Sequence, residues 1–183
     1  MSTKEKILNT ASALFGEYGY FGASMSDIAK KINITKTTLY YYFKSKRDLY
    51  KKIIEHAFKN LELHLQEVEK IKNPTKKISK LIEKYLEFCA KEKNILLSLV
   101  TNFPKKDTEI KFHIKKLKEN LNKDIANFLK DSFKVYKENQ IDIKTLTNTL
   151  TEIMNGKVLE SSFLNSKENL KKSAKKITEI LFR

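Results

Sequence analysis

The sequence predicts an all-α protein: an N-terminal helix-turn-helix followed by a larger helical region, about nine helices in total. Three observations carry this. The 183 residues include four Gly and two Pro, and both prolines, Pro74 and Pro104, fall between periodic segments, so breakers are scarce. Apolar residues recur at three- and four-residue spacing along most of the chain. The long β-branched or aromatic alternation that a sheet needs is missing.

Ile7, Leu8, Ala11, Leu14, Phe15 and Tyr18 form the apolar stripe of a first helix. Ser2 and Glu5 stand ahead of it in capping-box spacing, and Gly19 ends it with a left-handed C-cap. Ser24 and Asp27 repeat the box before a short second helix whose inner face is Ile28, Ala29 and Ile32. Asn33-Ile34-Thr35 is a three-residue turn, and Asn33 suits its corner because asparagine tolerates positive φ. Thr35 caps a third helix over residues 36–44, with Leu39, Phe43 and part of Tyr40 turned inward.

Ser45 and Asp48 open a long fourth helix with Leu49, Ile53, Ala57, Phe58, Leu61, Leu65 and Val68 as its stripe. After Pro74 a fifth helix carries Ile78, Leu81, Ile82, Tyr85, Phe88 and Cys89, and residues 95–103 make a short sixth. A long helix follows over about 108–139, with two last helices at roughly 142–163 and 166–182. The expected division places the helix-turn-helix in residues 1–46 and the remaining helices in 47–183.

The net charge of +15 fits an anionic partner such as nucleic acid or a lipid surface. Its distribution is less telling. Residues 1–50 hold eight Lys and Arg against four acids, so most of the excess lies downstream on solvated helix faces. Cys89 is the only cysteine, which excludes an intrachain disulfide and fits a reducing compartment. The N-terminus lacks the apolar run of a signal peptide, and no stretch is long enough to span a bilayer. These features give the expectation of a cytoplasmic protein without a membrane partner.

Two short helices joined by a three-residue turn, under a preceding helix, describe a helix-turn-helix. With Leu39 and Phe43 inward, Lys36, Thr37, Thr38, Tyr41 and Tyr42 stay outside. Threonine can meet a base edge through its hydroxyl or a thymine through its methyl, and lysine can reach guanine O6 and N7. Tyrosine hydroxyls can donate to phosphate, as can Ser26, Thr35 and Lys46 near helix N-termini, where the dipole favours an anion.

The stretch Ala23 to Leu49 (ASMSDIAKKINITKTTLYYYFKSKRDL) resembles the signature of the TetR family of transcriptional regulators. Ile7-Leu8 to Phe15 and Tyr18-Gly19-Tyr20 resemble that family's first helix and its ending. The likeness covers about the first quarter of the chain. It implies base or phosphate contacts from Lys36, Thr37 and Thr38, and backbone contacts from Ser26, Tyr41, Tyr42 and Lys46. The family often has glycine where Asn33 and Thr37 stand, so Thr37 adds a side chain at the DNA.

The resemblance further implies a C-terminal domain that binds a small ligand and forms a homodimer through the last two helices. Those segments run over residues 145–163 and 166–182, opening at Thr145 and Ser166 and closing at Phe163 and Phe182. Both carry small residues on apolar faces, and Gly156 within a helix is expected to serve close helix approach. Tyr85, Phe88, Cys89, Phe103, His113, Phe128 and Met154 are candidate lining for a small-molecule site between helices.

The reading is therefore a repressor that binds a palindromic duplex operator as a dimer and is released by a small apolar or aromatic ligand. The competing reading is a basic helical module at anionic membranes, which accounts for the charge but not for three capped short helices. His56, His64 and His113 have no metal-site spacing, and neither a cofactor nor a catalytic constellation is expected.

Overall fold

The computed structural model describes residues 1–96, 104–133, 142–164 and 170–181. Among these residues there are eight α-helices, a short helical stretch at 93–96, and no strand. The helices are α1 (Thr3–Gly22), α2 (Met25–Lys31), α3 (Lys36–Tyr42), α4 (Lys46–Glu69), α5 (Pro74–Lys91), α6 (Thr108–Phe133), α7 (Ile143–Leu164) and α8 (Leu170–Leu181). The rest of the expected sixth helix, and the end of the helix expected to reach 139, lie outside the described residues.

The chain packs as two compact units. One comprises Met1–Ala57 with Glu92–Lys116, the other Phe58–Lys91 with Leu117–Arg183. Packing thus groups more chain with the helix-turn-helix than the 1–46 segment expected from sequence. The added residues are drawn in by side-chain pairs that no local pattern announces, such as Arg47 Nε with Asp107 Oδ2 at 2.7 Å.

In the first unit the first two capping boxes form as expected. Ser2 and Glu5 complete a capping box before α1, and Ser24 and Asp27 complete another before α2. Hydrogen bonds from Ser24, chiefly its hydroxyl, hold the Asp27 carboxyl below its usual pKa. The Ser45–Asp48 box is only half made. Ser45 Oγ accepts from Asp48 N, but the Asp48 carboxylate accepts from Lys44 N rather than from Ser45.

Gly19 has φ 72° and ψ 173°. The positive φ is as expected, but ψ lies far from the left-handed helical value, in a region only glycine occupies readily. The chain therefore bends at Gly19 and makes one further turn to Gly22, instead of closing with a left-handed cap. Ile7, Ala11 and Phe15 of α1, Ile28 and Ala29 of α2, Leu39 of α3 and Leu49, Tyr50, Ile53 and Ile54 of α4 form the core. Ile32, expected on the inner face of α2, is half-buried.

In the second unit α5 packs against both α7 and α8. Its Ile78, Leu81, Ile82, Leu86 and Phe88 are buried, as are Leu121, Ile125 and Leu129 of α6 and Leu150 and Met154 of α7. Thr147, Thr151 and Thr178 are buried too, and each hydroxyl donates to a carbonyl one turn back in its own helix. Those bonds satisfy polar groups that would otherwise be stranded. A Cβ built on Gly156 would meet nothing within 4 Å, so the close approach expected there is not made among the described residues.

Candidate nucleic-acid interface

The interface begins with the corner between α2 and α3. Asn33 takes φ 55°, the positive value that asparagine tolerates better than most residues. Ile34 N donates to Ala29 O at 3.0 Å, which closes the end of α2 and aims the chain into α3. Thr35 caps α3, its Oγ1 accepting from Thr38 N at 3.0 Å. The Thr35 and Thr38 hydroxyls also share a hydrogen bond at 2.8 Å. These two candidates are therefore engaged in forming the helix as well as standing at its N-terminal end.

With Leu39 and Phe43 sealed in the core, the rest of α3 faces solvent. Lys36 and Thr37 are exposed and Thr38 is half-buried. Tyr41 is 84% exposed, whereas Tyr40, at 48%, has about half its surface covered, in line with the partly inward placement that spacing suggested. The Tyr41 and Tyr42 rings meet edge-on at 5.3 Å, which stiffens both. Ser26, at the second position of α2, is half-buried near that helix's N-terminus.

Lys46 opens α4. Its Nζ lies 3.5 Å from the Phe21 carbonyl oxygen and 4.8 Å from the centroid of the Tyr20 ring. Burial pulls its pKa below the usual lysine range. Tyr20 is a partner that sequence reading missed, and no local signal marks it, because 26 residues separate it from Lys46. The arrangement presents hydroxyls, a flat phenol pair and ammonium groups on one short capped helix and its flanks. Such a surface can donate hydrogen bonds to phosphates and reach base edges in a major groove.

The ligand candidates do not form one group. Tyr85, Phe88 and Cys89 of α5, Phe128 of α6 and Met154 of α7 are buried in the second unit. His113 belongs to the first unit, beside Glu55, and Phe103 lies outside the described residues. Tyr85 donates its hydroxyl to Asn155 Oδ1 at 2.7 Å. Burial pushes the Tyr85 phenol far above its ordinary pKa and the Cys89 thiol up to about 12. A cavity of about 400 Å³ in the same unit has Phe128 on its wall, with Lys77 Nζ 5.3 Å from the ring centroid. The remaining wall is mostly polar, including Glu62, Glu69, Asp124 and Asp131. Among the described residues no cluster suits a metal ion, and no helix is long and apolar enough to cross a membrane.

A capped two-helix corner with a polar, exposed second helix defines a helix-turn-helix DNA-binding protein. Residues 7–53 match the family described as bacterial regulatory proteins, tetR family. The chain is 33% identical over 133 residues, 70% of each chain, to the biofilm operon icaADBC HTH-type negative transcriptional regulator IcaR of Staphylococcus aureus. It is 44% identical to the IcaR of Staphylococcus epidermidis over 55 residues, which is 30% of each chain. The fold matches that of the transcriptional regulator FadR from Bacillus subtilis in complex with stearoyl-CoA, with TM-score 0.83 and 18% identity over 97% of this chain and 96% of that one. This chain belongs to the tetR family of bacterial regulatory proteins and is a transcriptional regulator.

Proposed function

We propose that this protein is a repressor that binds a palindromic operator as a homodimer and releases it when a small ligand with an apolar or aromatic body is bound. The observation that carries the DNA reading is the face of α3. Lys36, Thr37 and Tyr41 stand exposed over a fully buried Leu39, an arrangement with no packing role. Lys36, Thr37 and Thr38 are assigned to base or phosphate contacts. Ser26, Thr35, Tyr41, Tyr42 and Lys46 are assigned to phosphates, which set register and most of the affinity.

Repression is supported by the likeness to IcaR, named as a negative regulator. Ligand release is supported by the fold shared with a regulator solved with stearoyl-CoA. Release requires that the ligand favour a dimer whose recognition helices no longer stand about one helical turn, ~34–36 Å, apart. Tyr85, Phe88, Cys89, Phe128 and Met154 are the side chains assigned to that ligand in the second unit. Dimerisation is assigned to α7 and α8, where Ile153 and Ile180 are exposed and Gly156 is open.

The test is a mobility shift on duplex DNA from directly upstream of the coding sequence. Tyr42→Ala and Lys46→Ala are each expected to weaken binding by roughly tenfold, and Lys46→Ala, which removes a charge, to flatten its salt dependence as well. Binding indifferent to both substitutions refutes the contact assignment.

A further inference from the structure

Lys46 occupies a position where a cation is electrostatically out of place. It is the first residue of a 24-residue helix, at the end that carries partial positive charge. Its side chain is nevertheless not free in solvent. The ammonium rests 4.8 Å above the Tyr20 ring and 3.5 Å from the Phe21 carbonyl oxygen. Tyr20 in turn is wedged, meeting Tyr50 edge-on at 4.9 Å and stacking on Phe15 at 6.0 Å. Both Tyr50 and Phe15 are completely buried. A rigid aromatic platform from the end of α1 thus holds the first side chain of α4.

We infer that Tyr20 is a positioning residue for DNA binding, its ring fixing the Lys46 ammonium in the geometry from which that group contacts a DNA phosphate. This rests on the assignment of Lys46 to a phosphate. A lysine on a flexible four-carbon stem loses rotamer freedom when it binds, and a platform that confines it beforehand removes that cost. The negative face of the ring attracts the cation while using none of its N–H donors as conventional hydrogen bonds. Partial burial, which already lowers the Lys46 pKa, strips some of the water that a phosphate would otherwise have to displace. The N–H groups of the first turn of α4 and the ammonium then favour the same anion.

The test uses the full-length protein and a palindromic duplex recovered by in vitro selection from random sequence. Position 20 is replaced by phenylalanine and then by its 4-fluoro, 3,5-difluoro and pentafluoro analogues. These stay close to phenylalanine in shape while withdrawing its negative face, and the Lys46→Gln background reads out any change the same fluorination makes in the contacts with Tyr50 and Phe15. Tyr20→Phe is expected to retain affinity within about twofold, and the series to weaken binding by about three- to tenfold at its end. In a Lys46→Gln background the series is expected to be flat. Lys46→Gln itself is expected to reduce the salt slope by about 0.9.

A series that is flat with Lys46 present, or that declines equally in both backgrounds, overturns the role of Tyr20. Unchanged affinity and salt slope in Lys46→Gln instead refutes the phosphate contact, a different outcome from failure of the platform. Failure to recover any duplex refutes sequence-specific binding and the inference with it.

Discussion

His113 Nε2 on α6 lies 3.1 Å from Glu55 Oε1 on α4, at the end of a row of ion pairs. Arg47 meets Asp107 at 2.7 Å and Glu109 at 3.3 Å, and Lys51 meets Glu109 at 2.7 Å. Arg47, Lys51 and Glu55 follow at four-residue spacing, so one face of α4 supplies all three. Each exposed pair alone contributes at most about 1 kcal/mol. Together they set the register of the first turns of α4 against the start of α6.

The His113–Glu55 step makes stability depend on pH. Burial is the larger influence on His113 and lowers its pKa, and the Glu55 carboxylate opposes it only in part. The nitrogen also lacks hydrogen-bond geometry to that carboxylate despite the short distance. The folded protein therefore binds fewer protons at this ring than the unfolded chain, and stability falls as pH drops through the unfolded histidine value of about 6.5. The ring is expected to titrate below that value by NMR, and Glu55→Gln to lower it further. The denaturation midpoint of the parent should fall relative to that of His113→Gln as pH drops from about 7 to 5.5. A midpoint above the free-histidine value contradicts this account.

Asn33 pays a small conformational cost for φ 55° that other side chains pay more heavily. Asn33→Ala is expected to lower unfolding free energy by about 1 kcal/mol and Asn33→Gly to leave it within a few tenths. Denaturant unfolding checks both. An alanine variant as stable as the parent would show that the corner relaxes to negative φ.

Gly16 lies against the 93–96 stretch. A Cβ placed there would sit 2.6 Å from Asn94 Cβ and 2.8 Å from both its Cα and its carbonyl oxygen. Since backbone must move to accommodate it, Gly16→Ala is expected to destabilise by about 1–3 kcal/mol, despite alanine's better helix propensity. A stabilised Gly16→Ala protein would mean that the segment around Asn94 gives way freely.

The assigned dimer face is tested by charge. Ile180 is 75% exposed on α8, and Gly156 is open on α7. Ile180→Asp and Gly156→Arg are each expected to weaken the dimer by about tenfold or more, with operator affinity falling alongside. Sedimentation velocity across a concentration series reads the first, and an unchanged dimer in both variants moves the interface elsewhere.

What could be read from the chain alone was local. Ser2, Ser24, Thr35 and Ser45 announce helix starts because a cap joins atoms three residues apart, and Asn33 announces a corner because its own backbone preference is unusual. Leu39 and Phe43 against Lys36, Thr37 and Tyr41 separate by helical period, so the solvent-facing side of α3 was legible before any packing was known. Tyr40, at the edge of the stripe, is about half covered, as its partly inward spacing implied. Gly19 escaped this logic in part: its φ is a property of glycine, but its ψ is set by where the chain must go next.

Tertiary structure decided which distant residues meet. Tyr20 beneath Lys46, Asn94 against Gly16 and His113 beside Glu55 involve separations in sequence that no periodicity encodes. The same holds for the ligand candidates, where apolar spacing identified buried residues such as Phe88 and Met154 but could not sort His113 into a different unit. Helix starts and faces follow from bonds and spacings within a turn or two, whereas the pairing of faces follows from the shared burial of whole helices.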